Sequence, residues 1–190
     1  MKIVSPPGRP KAKRARSGGS AVHEVTSVGA IFPPGRPKEK TTPLGGSAVH
    51  EVTSVGATFS WPVRVYWEDT DAGGIVFYAN YLKFFERART EWLRSLGIEQ
   101  QALRASSGGL FVVASTSVTY HRPARLDDQL LVTAQVLDIG RACMTISQQA
   151  RLGLQSAGDL LCEATIRIGW VVGNTFKPAR IPPTILEALQ

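Results

Sequence analysis

No apolar run in this chain approaches the roughly 18 residues that suggest a membrane-spanning helix, so a helical membrane protein is excluded at the outset. Cysteine is nearly absent. Cys143 and Cys162 lie in separate strand-like segments with no metal-ligand spacing, which argues against a disulfide framework and points to a reducing cytoplasm. The N-terminal 20 residues carry positive charge but lack the apolar stretch of a secretory signal. Histidine is scarce too, and only His121 lies in the body of the chain. With no Gly-x-Ser-x-Gly elbow anywhere, a Ser–His–Asp hydrolase is disfavoured, and His121 reads as a strand-end residue that could approach a substrate channel.

Net charge is unevenly spread. The whole chain carries +7, but residues 1–59 hold nine Lys/Arg against three Glu, and the remainder holds thirteen Lys/Arg against twelve Asp/Glu. The body therefore gives no electrostatic reason to invoke nucleic acid. The basic segment is a tandem repeat: "PPGRPKAKRARSGGSAVHEVTSVGAIF" (6–32) is followed by "PPGRPKEKTTPLGGSAVHEVTSVGATF" (33–59), identical at 21 of 27 positions. Two units are too few for a solenoid, and each offers one short apolar run between Pro/Gly/Lys-rich stretches. Ordering a residue costs about 1–2 kcal/mol of backbone entropy, with little burial here to offset it. Residues 1–59 therefore read as a disordered basic extension, and 60–190 as the folded domain.

The texture changes at "WPVRVYW" (61–67), where Val63, Val65 and Trp67 alternate with Arg64 and Tyr66 as in a half-buried strand. An acidic turn follows, then a helix over 80–97. Its apolar stripe runs through Leu82, Phe85, Ala88, Trp92 and Leu96, with Asn80 placed to cap the start, Gly97 to cap the end, and Arg87 and Glu91 spaced to pair. After a Ser/Gly loop (105–109), strands are expected at 110–121, 129–139, 142–152 and 160–172, with "RPARLDD" as a break and "PPTILEALQ" as a terminal helical turn. In the last strand, Cys162, Ala164, Ile166, Ile168 and Trp170 share one side. One long helix among five strands joined by short connections predicts an α+β domain, an antiparallel five-stranded sheet wrapped around a central helix. An exposed edge on long strands predicts a dimer.

The densest chemistry lies in "WEDTDAGGIVFYANYLKFFERAR" (67–89), with Glu68, Asp69 and Asp71 inside four positions and a glycine pair behind them. On the segment alone, Asp69 and Asp71 read as turn residues bonded to their own backbone, and Glu68 and Asp69 as partners for Arg64 or other bases. The D-x-D spacing begins like a calcium loop, but the remaining ligands are missing, so no metal or cofactor is expected.

The element order and the stretch "WPVRVYWEDTDAGGIVFYANYLKFFERARTEWLR", with "RPARLDDQLLV" and "FKPARIPPTI", resemble the hotdog-fold acyl-CoA thioesterases of the 4-hydroxybenzoyl-CoA thioesterase family. More narrowly, they resemble its YbgC-type, Tol–Pal-associated branch, over about residues 61–186. The resemblance implies a hotdog fold and hydrolysis of acyl-CoA to free acid and CoA. It places the catalytic carboxylate at Asp71 and assigns the Tyr78 backbone amide to the thioester carbonyl, with Gly74 and Val76 beside the substrate. YbgC-type enzymes often carry His where this chain has Tyr78, whereas the 4-hydroxybenzoyl-CoA type has Tyr. The residues suit that chemistry. A carboxylate can activate water or attack the thioester itself, a helix N-terminus supplies N–H donors for the oxyanion, and Gly73 and Gly74 permit a sharp turn and close backbone approach. Arg141, between two strands, is the candidate for a CoA phosphate, and reads equally as a solvated turn residue. The expected partners are acyl-CoA and a homodimer or dimer of dimers, with an acyl carrier protein possible. A non-catalytic acyl-binding or envelope-associated scaffolding subunit is the alternative function. A hotdog hydratase, the less favoured alternative, would want a His/Asp pair, and the lone body histidine His121 lies far along the chain from the Asp71 turn.

Overall fold

A computed structural model describes residues 22–25 and 57–189. The expected strands are β2 (Phe59–Arg64), β3 (Gly109–Tyr120), β4 (Gln129–Ile139), β5 (Cys143–Leu152) and β6 (Leu160–Val172). A sixth, β1 (Val22–Val25), comes from the repeat segment and pairs with Thr116–Thr119 of β3. Residues 1–21 and 26–56 of the extension lie outside the described residues, and Phe59 at its end opens β2. All pairings are antiparallel, in the order β1-β3-β6-β5-β4-β2. Register shifts between Val113 and Ser115 and between Val136 and Asp138 place irregularities of the kind that bend a strand and raise its twist.

Helix α1 (Asn80–Ser95) fills the concave side. Its buried face is wider than the expected stripe: Tyr81, Phe84, Phe85, Ala88, Trp92 and Leu93 are buried, while Leu82 and Leu96 are half-buried at its margins. Phe84 and Phe85 are wholly enclosed with Leu130, Val132, Ile146 and Ile166 of the sheet. Full burial of each such side chain is worth about 1.5–3 kcal/mol, so this contact dominates the fold. The helix stops where expected. Gly97, at φ 75°, donates to Arg94 O, and Ile98 N–H donates to Leu93 O, a Schellman ending that needs a residue at positive φ. Cys162, Ala164, Ile166, Ile168 and Trp170 of β6 are all buried, as their alternation predicts. Among the described residues no helix is long and apolar enough to cross a membrane.

Four local expectations are corrected. β2 ends at Arg64, and Trp67 opens a 3-10 turn (Trp67–Asp69) with 78% of its surface exposed, because the chain leaves the sheet before its side chain could turn inward. The helix cap is Ala79, not Asn80. The Asn80 amide is buried and instead donates to Asp69 O at 3.0 Å. Glu91 pairs with Arg94 rather than Arg87. A second helix, α2 (Gln100–Ser107), occupies a stretch read only in part, and then as loop. Its eight residues carry too little periodic signal to be read without the sheet beside them. The C-terminal turn is α3 (Pro183–Ala188).

Candidate active site

The sequence between the 3-10 turn and α1 folds back on itself. Asp71 N–H donates to Ile75 O at 2.9 Å and Phe77 N–H to Asp69 O at 2.8 Å, around an isolated bridge between Thr70 and Val76. Gly74 takes φ 72° at the apex, a conformation that carries no Cβ penalty in glycine. The exposed Asp71 carboxylate accepts the Gly73 N–H on Oδ1 at 2.8 Å. That is the turn-residue geometry the segment alone suggested. It occupies one oxygen, and Oδ2 has no protein partner among the described residues.

Asp69 has a different role. It is 1% exposed, and its Oδ2 accepts the Tyr66 N–H at 2.9 Å. The expected pairing of Asp69 with Arg64 does not form, because Arg64 points to Asp127 O across the neighbouring loop. Asp69 thus anchors the turn, while Asp71 faces outward from it.

The start of α1 supplies the donors. No side chain caps the helix. Phe77 O is held by the Asn80 N–H at 2.8 Å. In a trans peptide the N–H points opposite to the carbonyl, so the Tyr78 N–H is aimed out of the N-terminal end of the helix. Neither it nor the Ala79 N–H finds an acceptor among the described residues. Unpaired amides at a helix N-terminus form a ready site for negative charge.

Three side chains fix this arrangement. Tyr120 Oη donates to Tyr78 O at 3.1 Å. Tyr81 Oη accepts the Ala124 N–H at 3.0 Å, and Ala124 O accepts the Val76 N–H at 2.9 Å. Asn80 ties the helix start to the 3-10 turn. Burial pushes the phenols of both Tyr81 and Tyr120 up to about 12, so both stay neutral and available for these bonds at neutral pH.

The structure brings Asp71, Gly74 and the Tyr78 amide onto one turn. Val76 lies beneath it with its side chain in the core and its N–H spent on Ala124. Arg141 is elsewhere. The turn packs against the loop that precedes Gln129, whereas Arg141 follows the far end of β4, about 34 Å away by strand rise. His121 bonds Glu163 at 3.0 Å. The cation beside the turn is Arg125, opposite Ile75 and without a side-chain partner among the described residues. Sequence reasoning passed over it because "RPARLDD" reads as a break. It also missed the exposed aromatics Tyr66, Trp67, Phe77 and Tyr78: the first two lay in alternation mistaken for a strand, the second two in a segment read as the approach to the helix. Among the described residues, no three His, Cys, Asp or Glu side chains gather as a metal-ligand set.

A family model described as the thioesterase-like superfamily matches residues 65–189. The acyl-CoA thioesterase YbgC of Haemophilus influenzae is 42% identical over 130 residues, covering 68% of this chain and 93% of that protein. Among solved structures, a probable thioesterase from Bartonella henselae superposes with a TM-score of 0.60 at 31% identity, over 66% of this chain and all of the other. A 1,4-dihydroxy-2-naphthoyl-CoA thioesterase from Synechocystis gives a TM-score of 0.64 at 22% identity, over 70% and 96% of the two chains, a likeness of fold alone.

Proposed function

The chain belongs to the thioesterase-like superfamily, and from that premise we propose that it hydrolyses acyl-CoA thioesters to free acid and CoA at the turn between Asp71 and Tyr78. One observation carries the site. A carboxylate with one uncommitted oxygen and two helix-start amides without acceptors stand on a single braced turn. In this reading the thioester oxygen lies against the Tyr78 N–H, with Ala79 N–H beside it. Asp71 Oδ2 either takes a proton from the attacking water or attacks the carbonyl carbon to give a mixed anhydride that water then opens. The C–S bond breaks, and the thiolate leaves and takes up a proton. The amides supply stabilisation where charge develops, commonly the largest single contribution to such a reaction.

The aromatic rim offers apolar surface to the acyl group or to adenine, and Arg125 offers a cation to phosphate. β1 covers only Thr116–Thr119 of β3, so among the described residues Gly109–Ser115 keep an edge open to a second copy of the chain. This supports a dimer, whose partner could bring Arg141 to the site. The two free thiols suit a reducing, cytoplasmic setting.

A panel of short, long and aromatic acyl-CoA substrates, followed by free-thiol detection, tests the reading. Asp71→Asn should lower turnover about 10²–10⁴-fold with little change in acyl-CoA binding or melting temperature. Near-normal turnover in that variant, with loss in Asp69→Asn, would assign the chemistry to the other carboxylate.

A further inference from the structure

Away from this turn, a cavity of about 160 Å³ opens between the C-terminal half of α1, α2 and the sheet. Its inner walls are Trp92, Phe111, Met144, Ile146 and Ile168, its helix-side rim carries Glu86, Thr90 and Gln100, and no residue of the 68–81 turn lines it. Arg89 also lines it, about 13 Å along the helix axis from Asn80.

Arg89 is the unusual feature. Its side chain is half-buried, and its one hydrogen-bond partner among the described residues is Gln148 Oε1, at 2.6 Å. Gln148 is itself wholly buried, and its amide nitrogen is spent on Phe85 O and Thr133 O. Among the described residues, no carboxylate lies within ion-pair distance of Arg89. Glu86, one turn earlier, is exposed and accepts from Thr90, which in turn accepts from Gln100. Burial pushes the Arg89 guanidinium down to about 10, with Glu86 opposing the shift, so it stays charged at neutral pH.

A guanidinium has five N–H donors and a charge that costs folding free energy when buried without a counter-ion. Here most of that hydrogen-bonding capacity is unspent beside a space that is apolar on its sheet side and polar at the rim formed by Glu86, Thr90 and Gln100. A cavity of about 150 Å³ with apolar walls is large enough to hold benzene. A pocket with apolar walls and few converging polar groups is the usual form of a small-molecule site.

We propose that this cavity binds a small carboxylic acid, its carboxylate bonded to Arg89 and its apolar body, of benzene-ring size, packed on Phe111, Met144 and Ile168. Free acids are also the chemical class of the product in the proposed reaction. That link rests on the proposed function, but the binding itself does not.

The test uses the full chain without acyl-CoA, with benzoate and its neutral counterpart benzamide as probes. Binding is followed by calorimetry and by shifts in the NMR signals of Met144 and Ile168. Benzoate should bind at least about tenfold tighter than benzamide, since hydrogen bonds to a charged pair are roughly twice as strong as neutral ones. Arg89→Met should weaken benzoate about tenfold or more. Glu86→Gln, at an exposed position that keeps its acceptor for Thr90, should tighten it a few-fold by removing the competing charge. Asp71→Asn should leave it unchanged. Equal binding of the two probes, no binding to the wild-type chain, or loss in Asp71→Asn with Met144 and Ile168 unmoved would overturn the proposal. If Arg89→Met fails to fold, the Glu86→Gln arm decides: unchanged or weaker benzoate binding there refutes the role of Arg89.

Discussion

Replacing Tyr78 separates what its backbone does from what its ring does. The Tyr78 N–H has no acceptor among the described residues, so proline at this position removes a hydrogen that no described group uses. Tyr78 lies just ahead of the Ala79 cap, so proline there removes no hydrogen bond of the helix. The ring is 61% exposed and meets Phe77 at 4.6 Å and Tyr120 edge-on at 6.3 Å. Each aromatic contact is worth about 0.5–1.5 kcal/mol. Tyr78→Pro and Tyr78→Ala should therefore share a stability loss of about 1–3 kcal/mol, with exposure favouring the low end. For a domain of this size that is a few degrees per kcal/mol in melting temperature. They should differ in rate. Losing an oxyanion donor costs about 10²–10³ in turnover, or about 2.7–4 kcal/mol of barrier. Thiol release should thus fall by that factor in Tyr78→Pro and by only a few-fold in Tyr78→Ala. Tyr78→Phe, which keeps both N–H and ring, should stay near wild type. An active proline variant beside a dead phenylalanine variant would refute the argument and hand the chemistry to the phenol.

Gly73→Ala would put a Cβ 3.0 Å from Asp71 Oδ1; the carboxylate should swing away and turnover fall about tenfold or more while the melting temperature holds, and unchanged turnover would show that the Gly73 contact does not position Asp71. Stability should decline in alkali. Burial, with help from Glu163, pushes the Cys162 thiol from 9.0 to about 12, and burial pushes the Tyr81 phenol from 10.0 to about 12. The unfolded chain sheds these protons from about pH 9 while the fold retains them, so the contribution is complete below pH 9 and lost between 9 and 12. Urea midpoints for wild type and Cys162→Ala should therefore converge over that range, and parallel curves would count against it. A chain beginning at Ser60 should fold and keep its turnover, because the buried core begins at Val63; loss of folding would show that the extension contributes more than β1.

The sequence alone determined most of the architecture. Period-two alternation in four long strands, and an apolar stripe closed by Gly97, are local signals that tertiary context had no reason to override. It also located the dense turn, because three carboxylates, two glycines and a helix start fall within one short stretch. What it left open were choices among neighbours of similar type. Asp69 and Asp71 are both turn carboxylates in sequence. Only the fold buries the first, with Oδ2 on the Tyr66 amide and Oδ1 enclosed without a partner among the described residues, and leaves the second facing outward with an oxygen open to solvent. Asn80 has the composition of a cap, yet packing turns its amide down to Asp69 O and so leaves the helix start unblocked. Trp67 continues an alternating run, but the chain has already left the sheet. Arg141 and Arg125 are equally plausible bases in sequence, and strand length carries one away from the turn while a single bridge brings the other beside it. Nothing in the local pattern around Arg89 distinguishes it from Arg87, two residues earlier. The helix's rotation against the sheet exposes one and half-buries the other beside a cavity. These outcomes depend on contacts between residues far apart in the chain, such as Tyr81 with Ala124 and Arg89 with Gln148, and a local reading of the sequence has no access to them.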